Sequence, residues 1–219
     1  MEFESQLGIF SPDGRLIQVE YAQNASSQGC TIVMQADQSS IKIYYEDRQP
    51  NPLIVSQDRI HRIDYEREFY MAFSGLKPDS LKVVNEAISI ICNYKYSTSE
   101  NITMHQLAKK IGEFQQKFTV SKSMRPLGLR SILFGIEKGN PRIFIIETDG
   151  NFSEYQKCAL GYKNEIAMKY FEENDGEGIA MNALLQIVQK DTSKIKGFIL
   201  SQTGLKSIDN IFENPISEN

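Results

Sequence analysis

Hydrophobic periodicity changes repeatedly along this chain, and the order of those changes constrains the fold more than any other feature. From Cys30 to Met34 and from Ile41 to Tyr45 the residues are β-branched and aromatic, with Ala36 to Ser40 between them as turn chemistry, which predicts a hairpin. Glu68 to Phe73 predicts a further strand, ended by Ser74-Gly75 before Pro78 opens a helix at its first turn. The period then becomes helical. Leu81, Val84, Ala87, Ile88 and Ile91 mark one helix; Met104, Leu107, Ala108, Ile111, Phe114 and Phe118 mark a second, with Thr103 and Gln106 spaced as a capping box. Strand patterning returns at 129–136, 142–147 and 152–156, with Glu137 to Pro141 as a turn. Helical patterns follow at 165–173 and 179–190, then strands at 197–201 and 206–208. Strands, two helices, strands, two helices, strands is not the strict alternation of a doubly wound parallel sheet. It predicts two antiparallel sheets face to face, with a helix pair on each outer side.

A chain of 219 residues can build one large core, and no repeat, low-complexity tract or linker divides it, so residues 1–219 are expected to form a single domain. With 41% hydrophobic and 24% charged residues the composition is that of a folding chain, not a disordered one. A formal charge of −4 supplies no basic field for nucleic acid or an anionic membrane. No apolar run approaches the roughly 20 residues that span a bilayer, and Met1 to Ser5 has no basic and apolar leader pattern. The expectation is a protein neither exported nor membrane-spanning. Cys30, Cys92 and Cys158 are too few and too scattered for a disulfide framework or a zinc site, which points to the reducing cytoplasm and nucleus.

The densest motif lies near the start. Phe10-Ser11-Pro12-Asp13-Gly14-Arg15 reads as a turn, and Leu16 to Ser27 as a short amphipathic helix behind it. The run Phe10 to Ala22 resembles the signature of proteasome α subunits. Weaker landmarks extend the likeness in order: Gly29-Cys30-Thr31, Ser74-Gly75-Leu76 with Asp79, Arg125-Pro126 with Gly128, Thr148-Asp149, and Lys157 with Gly161. The Ala22-Gln23 ending and Met71 to Leu76 most resemble the fourth α type of eukaryotic rings. Departures from the family pattern are Phe3-Glu4-Ser5 in place of Tyr-Asp-Arg, Leu127 after Arg125-Pro126, and Gly150 directly after Thr148-Asp149.

The resemblance implies an α/β (α+β) fold, a four-layer α/β/β/α sandwich of the amino-terminal nucleophile hydrolase kind with an extra N-terminal helix. Residues 1–28 would then be a gate segment and α-specific helix, and 29–219 the sandwich. It implies a non-catalytic structural subunit without cofactors, sitting in a seven-membered ring with other α subunits, stacked on β subunits. Ring assembly, substrate gating and activator docking in intracellular protein degradation follow from the same likeness. Residues matching the gate cluster are Phe3, Glu4, Pro12 and Tyr21. Those matching the pocket for the C-terminal tails of a regulatory particle or other activator are Leu16, Gly29, Arg62 and Gly75, with Arg62 as the basic anchor for a terminal carboxylate.

The rival is an active amino-terminal nucleophile peptidase. Alignment on the catalytic relatives places Cys30 at the nucleophile position, Glu46 at the position of the supporting Asp and Arg62 at that of the Lys. Arginine is a poor proton-transfer substitute for lysine, and the helix 16–27 stands just upstream. A buried structural thiol is the reading preferred for Cys30. A third reading is a free-standing binding module that shares only the fold. His105 is expected on a solvated helix start, and His61 to point outward from a strand while Ile60 and Ile63 turn inward. Arg62 has its own plain alternative, a surface ion pair with Asp58 or Asp64. Lys109-Lys110 reads as a solvated helix face, and no Gly-rich phosphate loop precedes a helix.

Overall fold

In the computed structural model, residues 7–47, 53, 59–176, 178–188 and 195–208 are described. The first predicted hairpin forms β1 (Ile32–Ala36) and β2 (Ile41–Glu46), and it lies inside a five-stranded sheet of order β10-β9-β2-β1-β8. Its other members are β8 (Lys157–Leu160), β9 (Ile195–Ser201) and β10 (Gly204–Ser207). The second sheet runs β3-β4-β5-β6-β7 in chain order: β3 (Ile60–Asp64), β4 (Phe69–Gly75), β5 (Leu129–Glu137), β6 (Asn140–Ile146) and β7 (Phe152–Tyr155). Every pairing is antiparallel.

The sheets meet through Ile32, Met34, Ile43 and Tyr45 on one side and Tyr70, Ala72, Ile132 and Phe134 on the other. Helices α2 (Lys77–Thr98) and α3 (Met104–Thr119) cover the second sheet over Phe69, Met71, Phe73 and Leu133. Helices α4 (Asn164–Glu173) and α5 (Ile179–Ile187) cover the first over Val33 and Ala159. Both faces of β4 are therefore buried, which explains why Phe69 to Phe73 is continuously apolar instead of alternating. The predicted sandwich, with a helix pair outside each sheet, is the observed one. Thr103 and Gln106 form the expected capping box: the Gln106 amide donates to Thr103 Oγ1 at 3.2 Å and the Thr103 amide to Gln106 Oε1 at 3.0 Å.

Three expectations need correction. Leu81 does not face the core; it is 50% exposed, and Val83 is buried in its place, so the buried stripe of α2 is rotated toward Ser80, Val83, Val84, Ala87 and Ile91. Strand β8 carries no separate signal, because only Gln156 separates it from β7 and no Gly or Pro marks the crossing between sheets. Ile60 and Ile63 do not share a face. Ile60 packs into the inter-sheet core and Ile63 under the helices, as a period of two requires for residues three apart. His61 is half-buried against Phe73, ring centroids 5.9 Å apart, on the helix side with Ile63 and not outward. His105 is exposed, as expected, with its ring edge-on to Phe144 and Phe152.

Candidate functional site

Helix α1 (Ile17–Ser27) builds the site. The turn before it is closed by the Gly14 amide donating to Ser11 O at 2.8 Å and the Arg15 amide to Ser11 Oγ at 3.1 Å. Arg15 then grips Glu20, one turn into the helix, donating from Nε and Nη2 along one guanidinium edge to the two carboxylate oxygens. Val19, Ala22 and Ser26 form the buried face, which lies across the ends of β4 and β5.

That crossing is close. Gly29 has no room for a side chain, since a Cβ there would stand 2.2 Å from the Gly75 nitrogen and 2.3 Å from Ser74 Oγ. Gly75, at φ +118°, would put its Cβ 2.2 Å from Gly128 O. Buried Ser74 donates its hydroxyl to Ser26 O at 3.0 Å, tying the last turn of α1 to the strand end. Beneath this seam, Asp79 is 3% exposed and accepts from both arms of Arg125, at 2.7 and 2.9 Å, and from the Gly128 amide at 2.9 Å. Burial alone would raise the Asp79 pKa, but the Arg125 and Gly128 hydrogen bonds, with the charges of Arg125 and Lys82, hold it below the ordinary value. The Leu76 amide donates to Gly128 O at 2.9 Å, so α2, the 125–128 segment and α1 are braced together.

Cys30 enters this mouth just before β1. Its thiol is 5% exposed and donates to the backbone carbonyl of Glu46. Next to it the Tyr162 amide donates to Gly29 O at 3.1 Å and Thr31 Oγ1 to Tyr162 O at 2.8 Å. On the inter-sheet face of β5, Arg130 lies opposite Ser74 and forms an ion pair with Glu147. Cys158 is fully buried, and burial pushes its pKa up to about 12, so it is an inert thiol.

Of the sequence-based candidates, Gly29 and Gly75 are brought into contact, whereas Leu16 caps the opposite end of α1, about 16 Å away for an eleven-residue helix. Arg62 is not with them. It pairs with Tyr70 on β4, five residues before Gly75, a separation of about 17 Å along a strand. Its guanidinium forms an ion pair with Glu68, donates to Tyr65 O at 2.9 Å and to Asp64 O at 3.3 Å, and lies over the Tyr65 and Tyr70 rings. The expected ion pair is thus made with Glu68; the Asp64 carboxylate belongs to Arg67, and Asp58 lies outside the described residues. Cys30 and Glu46 are adjacent through backbone, and Arg62 does not join them. Next to β3 on the Gly75 side lies Arg59, one position beyond the Ile60–Ala72 pair. Sequence reading passed over it because β3 has too short and irregular a pattern, with a bulge between Arg62 and Asp64. Pro12 lies exposed in the turn and Tyr21 is 49% exposed on α1, while Phe3 and Glu4 lie outside the described residues.

Two face-to-face antiparallel sheets between helix pairs, with an added helix across the mouth, define an α+β sandwich of the amino-terminal nucleophile hydrolase kind. Residues 26–200 match the proteasome subunit family and residues 3–25 the N-terminal signature of its A-type members, and the chain belongs to that family. Among its relatives, the alpha type-7 proteasome subunit of Trypanosoma brucei brucei is 29% identical over 213 residues, covering 92% of this chain and 85% of the relative. The alpha proteasome subunit of Saccharolobus solfataricus is also 29% identical, over 94% of this chain and 90% of its own. The alpha type-7-1 proteasome subunit of Drosophila melanogaster is 26% identical over 94% of this chain and 88% of the relative. The chain is a structural α-ring subunit of the 20S proteasome, made to assemble with other proteasome subunits.

Proposed function

We propose that this subunit is non-catalytic and serves the ring by gating and by docking activators, in the cytoplasm and nucleus. One observation carries the reading: α1 crosses the end of the sandwich where a substrate would reach Cys30, locked there by a seam that admits no side chain at Gly29 or Gly75. Cys30→Ala should leave peptide hydrolysis by the assembled particle unchanged. A loss of hydrolysis in particles that still assemble would reinstate the peptidase reading.

The gate is assigned to residues 1–28, with Pro12 and Tyr21 as its described members. For docking, the span of α1 requires a composite pocket. One subunit supplies Leu16 and its neighbour supplies Gly29 and Gly75, with Arg59 taking the anchoring role first expected of Arg62. A guanidinium in such a crevice holds a terminal carboxylate by charge-assisted hydrogen bonds. Binding of an activator C-terminal peptide to intact particles should weaken about tenfold with Arg59→Ala and stay near wild type with Arg62→Ala. The opposite ranking would return the anchor to Arg62.

A further inference from the structure

The layer between α3 and the second sheet is apolar, built from Leu107, Ile111 and Phe118 on the helix and Phe73, Leu129, Leu133 and Ile146 on the strands. Two polar side chains interrupt it. Gln115 lies on the buried face of α3, and Ser131 on the same face of β5 as Leu129 and Leu133; both are 0% exposed. Neither Oε1 nor Nε2 of Gln115, nor Oγ of Ser131, has a hydrogen-bond partner among the described residues. Other buried hydroxyls nearby find a backbone carbonyl: Thr119 Oγ1 donates to Gln116 O at 2.8 Å and Thr148 Oγ1 to Leu129 O at 2.9 Å. Ser131 sits mid-sheet, where the ladders to β4 and β6 consume the backbone groups on both sides.

Helix α3 carries Gln115 over this part of β5. Met104, at its start, packs over Gly135, and Gly112 abuts Gly150 in the turn after β6, so α3 runs from the Gly135 end of β5 toward the Leu129 end. Eleven residues of helix from Met104 reach about 16 Å and four of strand from Gly135 about 13 Å, which brings Gln115 to the level of Ser131. We propose that ordered water is held there, hydrogen-bonded to the Gln115 amide and the Ser131 hydroxyl. A buried amide or hydroxyl without a partner is costly, and water is the ligand that both donates and accepts. Gln115 presents a donor and an acceptor and Ser131 a hydroxyl, within the two to four polar groups that hold a buried water, and a serine in a row of leucines leaves the space it needs. The site gives α3 a single seat on the sheet, since sliding the helix by a turn would leave both side chains unpaired in apolar surroundings. It is independent of the gating and docking roles.

The test uses 20S particles carrying this chain as wild type, Gln115→Met, Ser131→Ala or both. A crystal or electron cryo-microscopy map that resolves buried water elsewhere should show density within hydrogen-bond reach of both side chains in wild type and lose it in Gln115→Met. Hydrogen exchange of the α3 and β5 amides should quicken about tenfold in each single variant, because each strands the other polar group. Exchange should return close to wild type in the double variant, where neither polar group is left. Missing density in wild type, or a direct Gln115–Ser131 hydrogen bond in its place, overturns the water site. A double variant whose exchange equals the product of the two single effects does the same, because side chains that share no water act independently.

Discussion

Replacing Asp79 with Ala is expected to lower the melting temperature of the assembled particle's α ring by about 5–10 °C and to loosen α1 from the sandwich. The carboxylate is buried and satisfies two guanidinium arms and the Gly128 amide. Removing it strands the buried Gly128 N–H and leaves a half-exposed arginine without its carboxylate partner. Loss of one partner of a fully buried pair costs about 3–5 kcal/mol, but Arg125 is 55% exposed, so solvent screening reduces the expected cost to about 2–3 kcal/mol. The pH dependence follows from the sign of the shift. The Asp79 pKa is depressed in the folded chain, so its contribution is complete above the ordinary carboxylate value of 3.8 and is lost as pH falls through the lower folded value. Asp79→Asn, which keeps an acceptor for Gly128, should flatten that acid dependence while costing less than Ala. Equal melting of wild type and Asp79→Ala would show that the ion pair does not brace the seam.

Gly75→Ala should be the more damaging change. Its φ of +118° is strained for any L side chain, and the new Cβ would meet Gly128 O at 2.2 Å and Leu129 Cα at 2.9 Å, both backbone atoms that cannot rotate away. Gly128 in turn lies under Ala25 of α1, so relief of the clash displaces the helix. A cost above about 3 kcal/mol is expected, enough to reduce incorporation of the subunit into the ring. Gly14→Ala is the comparison, for it has a similar sign of φ and open space around it, and should cost only about 1 kcal/mol. Incorporation is measured by co-purification of each tagged variant with the other ring subunits. If the two variants incorporate equally, close packing at the seam is not what Gly75 provides.

Much of the architecture was legible because its signals are local. Pro78 at a helix start, the Thr103–Gln106 box and the 3.6-residue spacing of α3 each act within one or two turns, and each appears as predicted. The motif from Phe10 to Ala22 likewise marked a turn and a helix that the structure contains. Gly29 and Gly75 were read only as lining of a docking pocket; the close approach of their backbones under α1 is a finding of the structure.

What the residues could not decide by themselves depends on partners distant in sequence. Spacing along α2 allows a stripe through Leu81 or one through Val83, and only the placement of α2 on β3, β4 and β5 selects the second. The Cys30 thiol reads as a small apolar residue, but its burial rests on neighbours distant in sequence, Glu46 and Gly161. Arg62 and Arg59 are equivalent as charges in the sequence. Strand register separates them, because each residue advances the chain by about 3.3 Å, and a shift of three positions moves a guanidinium from the Glu68 end of β4 toward the Gly75 end. Periodicity and capping chemistry, being short-range, determined the elements and their order; the site belongs to the register and close approach of strands, which are long-range and exist only once the sandwich has closed.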